Sequence, residues 1–261
     1  MPHEWTNQVA LVTGGARGLG RATCLHLAAR GVAIGVNYTS RPDAADALIA
    51  EIRASGGRAI AVKADVADAT AVQAAADRVT SELGPITILV NNAGIAWAAT
   101  LETYDSAGFA RLRAVNVDGT IHAIRAVMAG MKALSYGRIV NISSVASFGT
   151  TGFPGNHFYA STKAEVNILT KRFALELGRH GITVNAVAPG FTRTDMTQGG
   201  KTAEQWQEIE AGFAKVAMTG RVGEPDDIAR AVTFFAAPEA SWVTAQVLAI
   251  DGGRMDYIGH G

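Results

Sequence analysis

Apolar residues run along this chain in two alternating rhythms. Short stretches at 8–13, 32–38, 59–63, 86–91, 138–143, 182–188 and 246–250 read as strands, and several are continuously apolar rather than alternating. Strands covered on both faces have that pattern, because a parallel sheet carries helices on each side. Between them, apolar positions recur at helical spacing: Val72, Ala75, Ala76, Val79 and Leu83; Val117, Ile121, Ile124, Met128 and Met131; Val166, Leu169, Phe173 and Leu177. Regular strand–helix alternation predicts right-handed βαβ units, hence an α/β, doubly wound fold with a seven-stranded parallel sheet and helices on both faces.

No Pro- or Ser-rich linker, charge run or internal repeat divides the chain, so its 261 residues are expected to form a single domain, 1–261. The least regular stretch, about 190–220, follows the carboxyl end of a strand, where ligands bind in open α/β sheets. It holds Gly199-Gly200, then Thr202 with Gln205 three residues on, the spacing of a capping box opening a short helix. This stretch is expected to be a substrate lid, with an ordinary surface insertion as the alternative.

The first strand runs into T-G-G-A-R-G-L-G at 13–20, and a helical pattern with Leu19, Ala22, Leu25 and Ala29 follows. Gly14 lets the chain turn out of the strand. Gly18 and Gly20 remove side chains where backbone meets a pyrophosphate and where helix packs on strand. The helix N-terminus then offers free N–H groups and partial positive charge. The spacing, G-x-x-x-G-x-G, also suits a tight turn alone, but strand before and helix after favour a dinucleotide-binding loop in a Rossmann-type fold. The second strand ends Val36-Asn37-Tyr38-Thr39-Ser40-Arg41, with no acidic residue to take the adenosine ribose 2′-hydroxyl. Arg17 and Arg41 stand ready for a 2′-phosphate instead, so NADP(H) is expected to be preferred over NAD(H). Alternatively, Arg41, beside Pro42, is a solvated loop charge.

Composition narrows the class further. The chain is 48% hydrophobic and 18% charged, which excludes a disordered one. Lys plus Arg is 23 and Asp plus Glu is 23, so no global charge draws it to nucleic acid or acidic membranes. The single cysteine, Cys24, excludes an intrachain disulfide and reads as a small packing residue. No apolar run approaches the roughly 18 residues of a spanning helix, and M-P-H-E-W-T-N-Q does not read as a signal peptide. The expected location is cytoplasmic. Six histidines lie scattered without metal-ligand spacing, so no catalytic metal is expected.

Tyr159 and Lys163 are four positions apart in Y-A-S-T-K, on one face of a helix. A tyrosine with its ordinary pKa near ~10 exchanges protons poorly at neutral pH. An ammonium within about 4–6 Å can lower that value by roughly 1–3 units. The start of a helix adds to the effect. Tyr159 is therefore a candidate acid/base. The strand ending I-V-N-I-S-S brings Ser143 and Ser144 to the ligand-binding edge, where a hydroxyl can meet a substrate carbonyl.

Taken in order, T-G-G-A-R-G-L-G at 13–20, Asp65-Val66, N-N-A-G at 91–94, Asn116-Val117, I-S-S at 142–144, Y-A-S-T-K at 159–163, P-G-F-T-R-T at 189–194 and D-G-G at 251–253 resemble the short-chain dehydrogenase/reductases from Val9 to about Gly253. The resemblance looks strongest toward the 3-oxoacyl-carrier-protein reductase-like members. It implies that Asp65 contacts the adenine amino group, with Val66 beside the ring. Asn91, Asn92, Ala93 and Gly94 would stabilise the sheet and line the cofactor site, as would Leu19 and Tyr38. Ser144 would orient the substrate carbonyl and Tyr159 act as general acid/base. Lys163 would hold the nicotinamide ribose and lower the tyrosine pKa, while Asn116 would support a water connecting the lysine to solvent. Pro189, Gly190 and Thr192 would line the nicotinamide pocket, and Thr194 would meet the pyrophosphate or amide region. The activity implied is NADP-dependent interconversion of a ketone and a secondary alcohol; a sugar, steroid or cyclic ketone is the alternative substrate, and a non-catalytic nucleotide sensor the remote alternative. Family members usually form tetramers through the equivalents of the helices at 105–131 and 159–179, so a homotetramer is expected.

Two departures stand out. Ser144 and Tyr159 are fifteen positions apart, slightly more than usual, which leaves the loop path open and Ser143 as an alternative serine. Thr244-Ala245-Gln246 has alanine where the family often has glycine, and a local packing change is expected. Pocket loops at 96–101, 147–157 and 193–216 carry Trp97, Phe148, Phe153 and Trp206, which hints at an apolar substrate. His157 reads as a solvent-facing loop residue or a substrate contact, and the tail at 254–261 as a subunit contact or a frayed end.

Overall fold

The computed structural model describes residues 4–149 and 155–253. Its strands are β1 (Val9–Val12), β2 (Ala33–Tyr38), β3 (Ala59–Lys63), β4 (Ile88–Asn91), β5 (Gly137–Ile142), β6 (Ile182–Pro189) and β7 (Val247–Ile250). They form one sheet in the order β3-β2-β1-β4-β5-β6-β7, and every pairing is parallel. The order reverses between β1 and β4, which opens a crevice at their carboxyl ends. Each strand lies within two residues of its sequence-predicted bounds.

The helices are α1 (Gly18–Ala28), α2 (Pro42–Ala54), α3 (Ala69–Leu83), α4 (Ser106–Arg113), α5 (Gly119–Leu134), α6 (His157–Leu177), α7 (Asp195–Gln198), α8 (Ala203–Val216) and α9 (Pro225–Ala236). Successive strand residues point to opposite faces, and both faces are covered. Leu11, Leu89, Ile139 and Val184 pack with Val79 of α3, Ile124 of α5 and Leu177 of α6. Ala10, Val12, Ile34 and Val140 pack with Leu27 of α1, Leu48 of α2 and Phe235 of α9. This is why the strand sequences are apolar throughout. Each such buried Leu, Ile or Phe contributes roughly 1.5–3 kcal/mol relative to exposure.

The 105–131 region is not one run of α-helix. Between α4 and α5 the chain makes a five-residue π-helical turn, Ala114–Asp118, which contains Asn116. Such widened turns concentrate at functional sites. The capping box at Thr202 and Gln205 is present, but the helix it opens is 14 residues long rather than short. α8 buries none of its residues fully and is held through rings: Phe191 stacks on Phe213 at 3.8 Å and lies 5.6 Å from Trp206. Ala245 has φ +61°, so its alanine-for-glycine change strains the backbone rather than only altering packing.

The amino-terminal rim of the sheet, opposite the crevice, is fastened by Arg138. It is 2% exposed and donates to the carbonyls of Ala237 (3.1 Å), Pro238 (3.1 Å) and Gly137 (2.9 Å). Its guanidinium stacks on Tyr136, whose hydroxyl accepts from Gln8 at 2.8 Å. Burial pulls the Arg138 pKa down, while Tyr136 and Glu239 pull it the other way. Among the described residues no helix is long and apolar enough to cross a membrane. Phe153 and the tail at 254–261 lie outside the described residues.

Candidate active site

A cavity of about 500 Å³ opens at the carboxyl ends of the central strands. One end is lined by Tyr38, Arg41 and Asp65-Val66, the floor by Gly14, Arg17, Gly18 and Leu19, and the other end by Ser144, Tyr159, Lys163, Pro189 and Gly190. Asn92, Ala93, Gly94, Thr192 and Thr194 complete the walls. Gly20, Asn91 and Asn116 stand behind the lining.

The floor is built to leave donors free. α1 starts at Gly18, and its N-cap, Arg17, makes no side-chain cap. By contrast, Asp68 and Asp105 cap α3 and α4 with their carboxylates. The orphan N–H groups of α1 face the cavity, and an anion is their natural partner. Gly20 lets the loop close on itself: a Cβ there would lie 2.6 Å from Asn92 Nδ2 and 2.9 Å from Gly15 Cα, and would strike the Gly14 carbonyl. Asn92 Nδ2 donates to the carbonyls of Thr13 and Gly14, both at 2.9 Å. Asn37 Oδ1 accepts from Gly14 N at 3.2 Å, a brace that sequence reading missed. An uncapped helix end, a glycine floor and two arginines at one extremity fit a phosphorylated dinucleotide.

The other end holds the candidate chemistry. Tyr159 is the third residue of α6, in its first turn. Ser144 hydrogen-bonds the Tyr159 phenol and also accepts from Ala146 N at 3.2 Å. The two serines are thus differently employed, since Ser143 Oγ donates to the Lys163 carbonyl at 3.2 Å. Lys163 Nζ donates to the Ile142 carbonyl at 2.8 Å and lies 5.8 Å from the centre of the Tyr159 ring. Gly94 lies beside this group: a Cβ there would sit 3.5 Å from Lys163 Nζ and 3.4 Å from Asn116 Oδ1, in ordinary contact. Asn116 is 1% exposed and fully used, accepting from Ile95 N at 2.9 Å and donating to Ile95 O and Thr162 Oγ1, both at 3.1 Å.

The electrostatics correct one expectation. Lys163 was expected to draw the Tyr159 pKa below its ordinary value; instead burial pushes it up, partly offset by the Ser144 hydrogen bond. Burial also pulls Lys163 down to about 8. Desolvation disfavours the charged form of each. The arrangement therefore holds Tyr159 as a protonated phenol, a proton donor hydrogen-bonded to a second hydroxyl.

At the opposite end Asp65 Oδ1 accepts from Ala67 N at 3.0 Å, while Oδ2 accepts from Arg111 at 2.7 Å. Arg111, Asp195 and Met196 line the cavity without having been singled out. Arg111 lies within the expected helix, but its pairing with Asp65 spans 46 positions and leaves no local signal. His157 is exposed at the start of α6. Trp97 packs 5.5 Å from Phe158 and does not line the cavity. Cys24 is buried behind the glycine loop, its thiol pushed far above the ordinary range. Among the described residues no group of three or more His, Cys, Asp or Glu is placed to hold a metal ion.

Known proteins share this architecture. The family model for short chain dehydrogenases matches residues 8–205. A 3-oxoacyl-[acyl-carrier-protein] reductase of Synechocystis sp. is 42% identical over 251 residues, covering 96% of this chain and 98% of that protein. A blue fluorescent protein from a metagenomic library, solved with NADPH, superposes with a TM-score of 0.85 at 37% identity, over 94% of this chain and 97% of that one. A short chain dehydrogenase from Burkholderia cenocepacia, solved with NADP, gives 0.86 at 36% identity, over 96% and 99%. With its parallel seven-stranded sheet, its glycine floor and these relatives spanning nearly its whole length, the chain belongs to the short-chain dehydrogenase/reductase family of oxidoreductase enzymes.

Proposed function

We propose that this enzyme interconverts a ketone and a secondary alcohol with NADP(H) in preference to NAD(H), and that a 3-oxoacyl thioester is its substrate class. The observation that carries the reaction type is the pair of hydroxyls, Ser144 and Tyr159, hydrogen-bonded to each other beside Lys163 at one end of the cavity. The Synechocystis relative supports the substrate class.

When bound, the nicotinamide cofactor supplies the hydride chemistry. The chain's own residues do the rest. The Ser144 hydroxyl takes the substrate carbonyl oxygen as its partner and polarises it. Tyr159 Oη delivers the proton to the same oxygen. Its raised pKa keeps that proton in place until the oxygen becomes basic. Lys163, one turn further along α6, stabilises the phenolate that results. Asn116 acts through position, holding the Ile95 backbone beside Gly94 and Lys163. Arg17, Arg41 and the free end of α1 receive the phosphates. The missing acid at 36–41 supports the preference for NADP(H), as do the NADPH- and NADP-bound neighbours.

We assign residues 1–261 to one domain and the segment at about 190–220 to a lid. The ring stack that fastens α8 beside the cavity supports the lid. Ile168 and Leu175 of α6, 60% and 70% exposed, supply an apolar face that supports homotetramer formation. Tyr159→Phe tests the central assignment. Turnover should fall by at least the ~10²–10⁴-fold typical of a lost general acid, with NADPH binding nearly intact. Undiminished turnover ends the assignment. NADPH oxidation across 3-oxoacyl thioesters, cyclic ketones and sugars, with NADH in parallel, tests substrate and cofactor; a non-catalytic sensor would bind and turn over nothing.

A further inference from the structure

Two arginines approach the same end of the cavity, Arg17 from the glycine loop and Arg41 from the N-cap of α2. Each already holds a carboxylate. Arg41 grips Asp43 with two donors, at 3.1 and 2.8 Å, within its own turn of chain. That pairing holds the Asp43 carboxyl down at about 2. Arg17 reaches across 178 positions to Asp195, the first residue of α7, at 3.3 Å.

The two contacts differ in kind. Arg41–Asp43 is local and forked, so it orients the guanidinium without tying it to another element. Arg17–Asp195 is a single, longer contact between half-exposed side chains, and it joins the floor to the proposed lid. The neighbouring Thr194 rests over the floor: a Cβ at Gly18 would lie 3.6 Å from Thr194 Cβ. Asp195 therefore puts a negative charge against the guanidinium that the 2′-phosphate reading assigns to the cofactor. A phosphate carries up to two charges and offers several acceptor oxygens, so it competes successfully for the same donors.

We propose that Asp195 is a specificity-determining residue that occupies Arg17 as an internal counter-anion and is displaced by the 2′-phosphate of NADP(H). The inference rests on the NADP reading above. Asp195 tempers the preference for NADP(H), because every 2′-phosphate must first release Arg17. NADH carries no such phosphate and leaves the pair intact. Exchange of one anion for another also frees α7 from the floor when the phosphorylated cofactor binds.

Calorimetric titration of the full chain with NADPH and with NADH at low salt provides the test, using Asp195→Asn, Arg17→Ala and the double variant. Asp195→Asn should bind NADPH about two- to fivefold more tightly, the scale of an exposed ion pair, with NADH affinity unchanged. That gain should shrink at high salt, where exposed charges are screened, and should shrink in the Arg17→Ala background, where Asp195 keeps only its longer-range attraction to Arg41. An equal change for both cofactors, or weaker NADPH binding by Asp195→Asn, overturns the role of Asp195. Loss of NADPH affinity in Arg17→Ala with no effect of Asp195→Asn sinks this inference alone. Equal parent affinities for both cofactors, unmoved by Arg17→Ala, overturn the NADP reading and this inference with it.

Discussion

Replacing Lys163 with methionine is expected to stabilise the fold while removing activity. Lys163 is 4% exposed, and burial brings its pKa from 10.5 to about 8. The unfolded chain thus holds the lysine proton more tightly than the folded chain, and stability rises with pH wherever that is so. The penalty is fully present below about pH 8, shrinks between there and 10.5, and is gone above. At about 1.4 kcal/mol per unit, it amounts to about 3 kcal/mol at pH 7. Methionine removes the charge and keeps a long unbranched stem. It also forfeits the 2.8 Å hydrogen bond to the Ile142 carbonyl, worth about 1 kcal/mol. The variant should therefore be about 2 kcal/mol more stable at pH 7, with the difference near zero at pH 10. Urea unfolding of both proteins at each pH reads this directly, since every other titrating group is common to the two. A methionine variant less stable than its parent at pH 7, or a difference that ignores pH, would refute the reasoning.

Three further outcomes are expected. Carbonyl reduction should decline as pH rises through about 8, where Lys163 gives up its proton; a rate that climbs through that range in steady-state assays contradicts the role given to the ammonium. Gly20→Ala should lose about 1–3 kcal/mol of stability through overpacking and at least tenfold in NADPH affinity, although alanine is the better helix former. Thermal unfolding with a cofactor titration checks it, and a stabilised variant means the loop can widen. Ala245→Gly should raise stability by up to about 1 kcal/mol, because relief of a left-handed alanine exceeds the added chain entropy. An unchanged or lower melting temperature counts against that strain.

The fold was legible wherever burial leaves a periodic mark. Apolar runs such as V-A-L-V of β1 and I-L-V of β4 are covered on both faces, and their shortness favours strand over buried helix. The candidate site was legible where glycine is demanded by close backbone contact or a left-handed φ, as at Gly20, Gly14 and Gly18. The π-helical turn was not, because one extra residue hardly disturbs the apolar spacing from Leu112 to Val117. The direction of the Tyr159 shift was missed because the Tyr–Lys spacing names the charge but not how deeply both groups are buried. Pairings such as Arg17–Asp195 and Arg111–Asp65 join distant segments and leave no local pattern. The full length of α8 was readable from Trp206, Ile209 and Phe213, which repeat at helical spacing.

The fastening by Arg138 separates upkeep from chemistry. Its guanidinium joins the start of β5 to the chain leaving α9, at the far margin of the strand that leads to Ser144 at its other extremity. Damage to that knot would shorten the lifetime of the folded molecule without altering what each intact molecule does per second. The strand axis thus serves as a ruler: how far along it a change falls tells whether it acts on the number of working enzymes or on their pace.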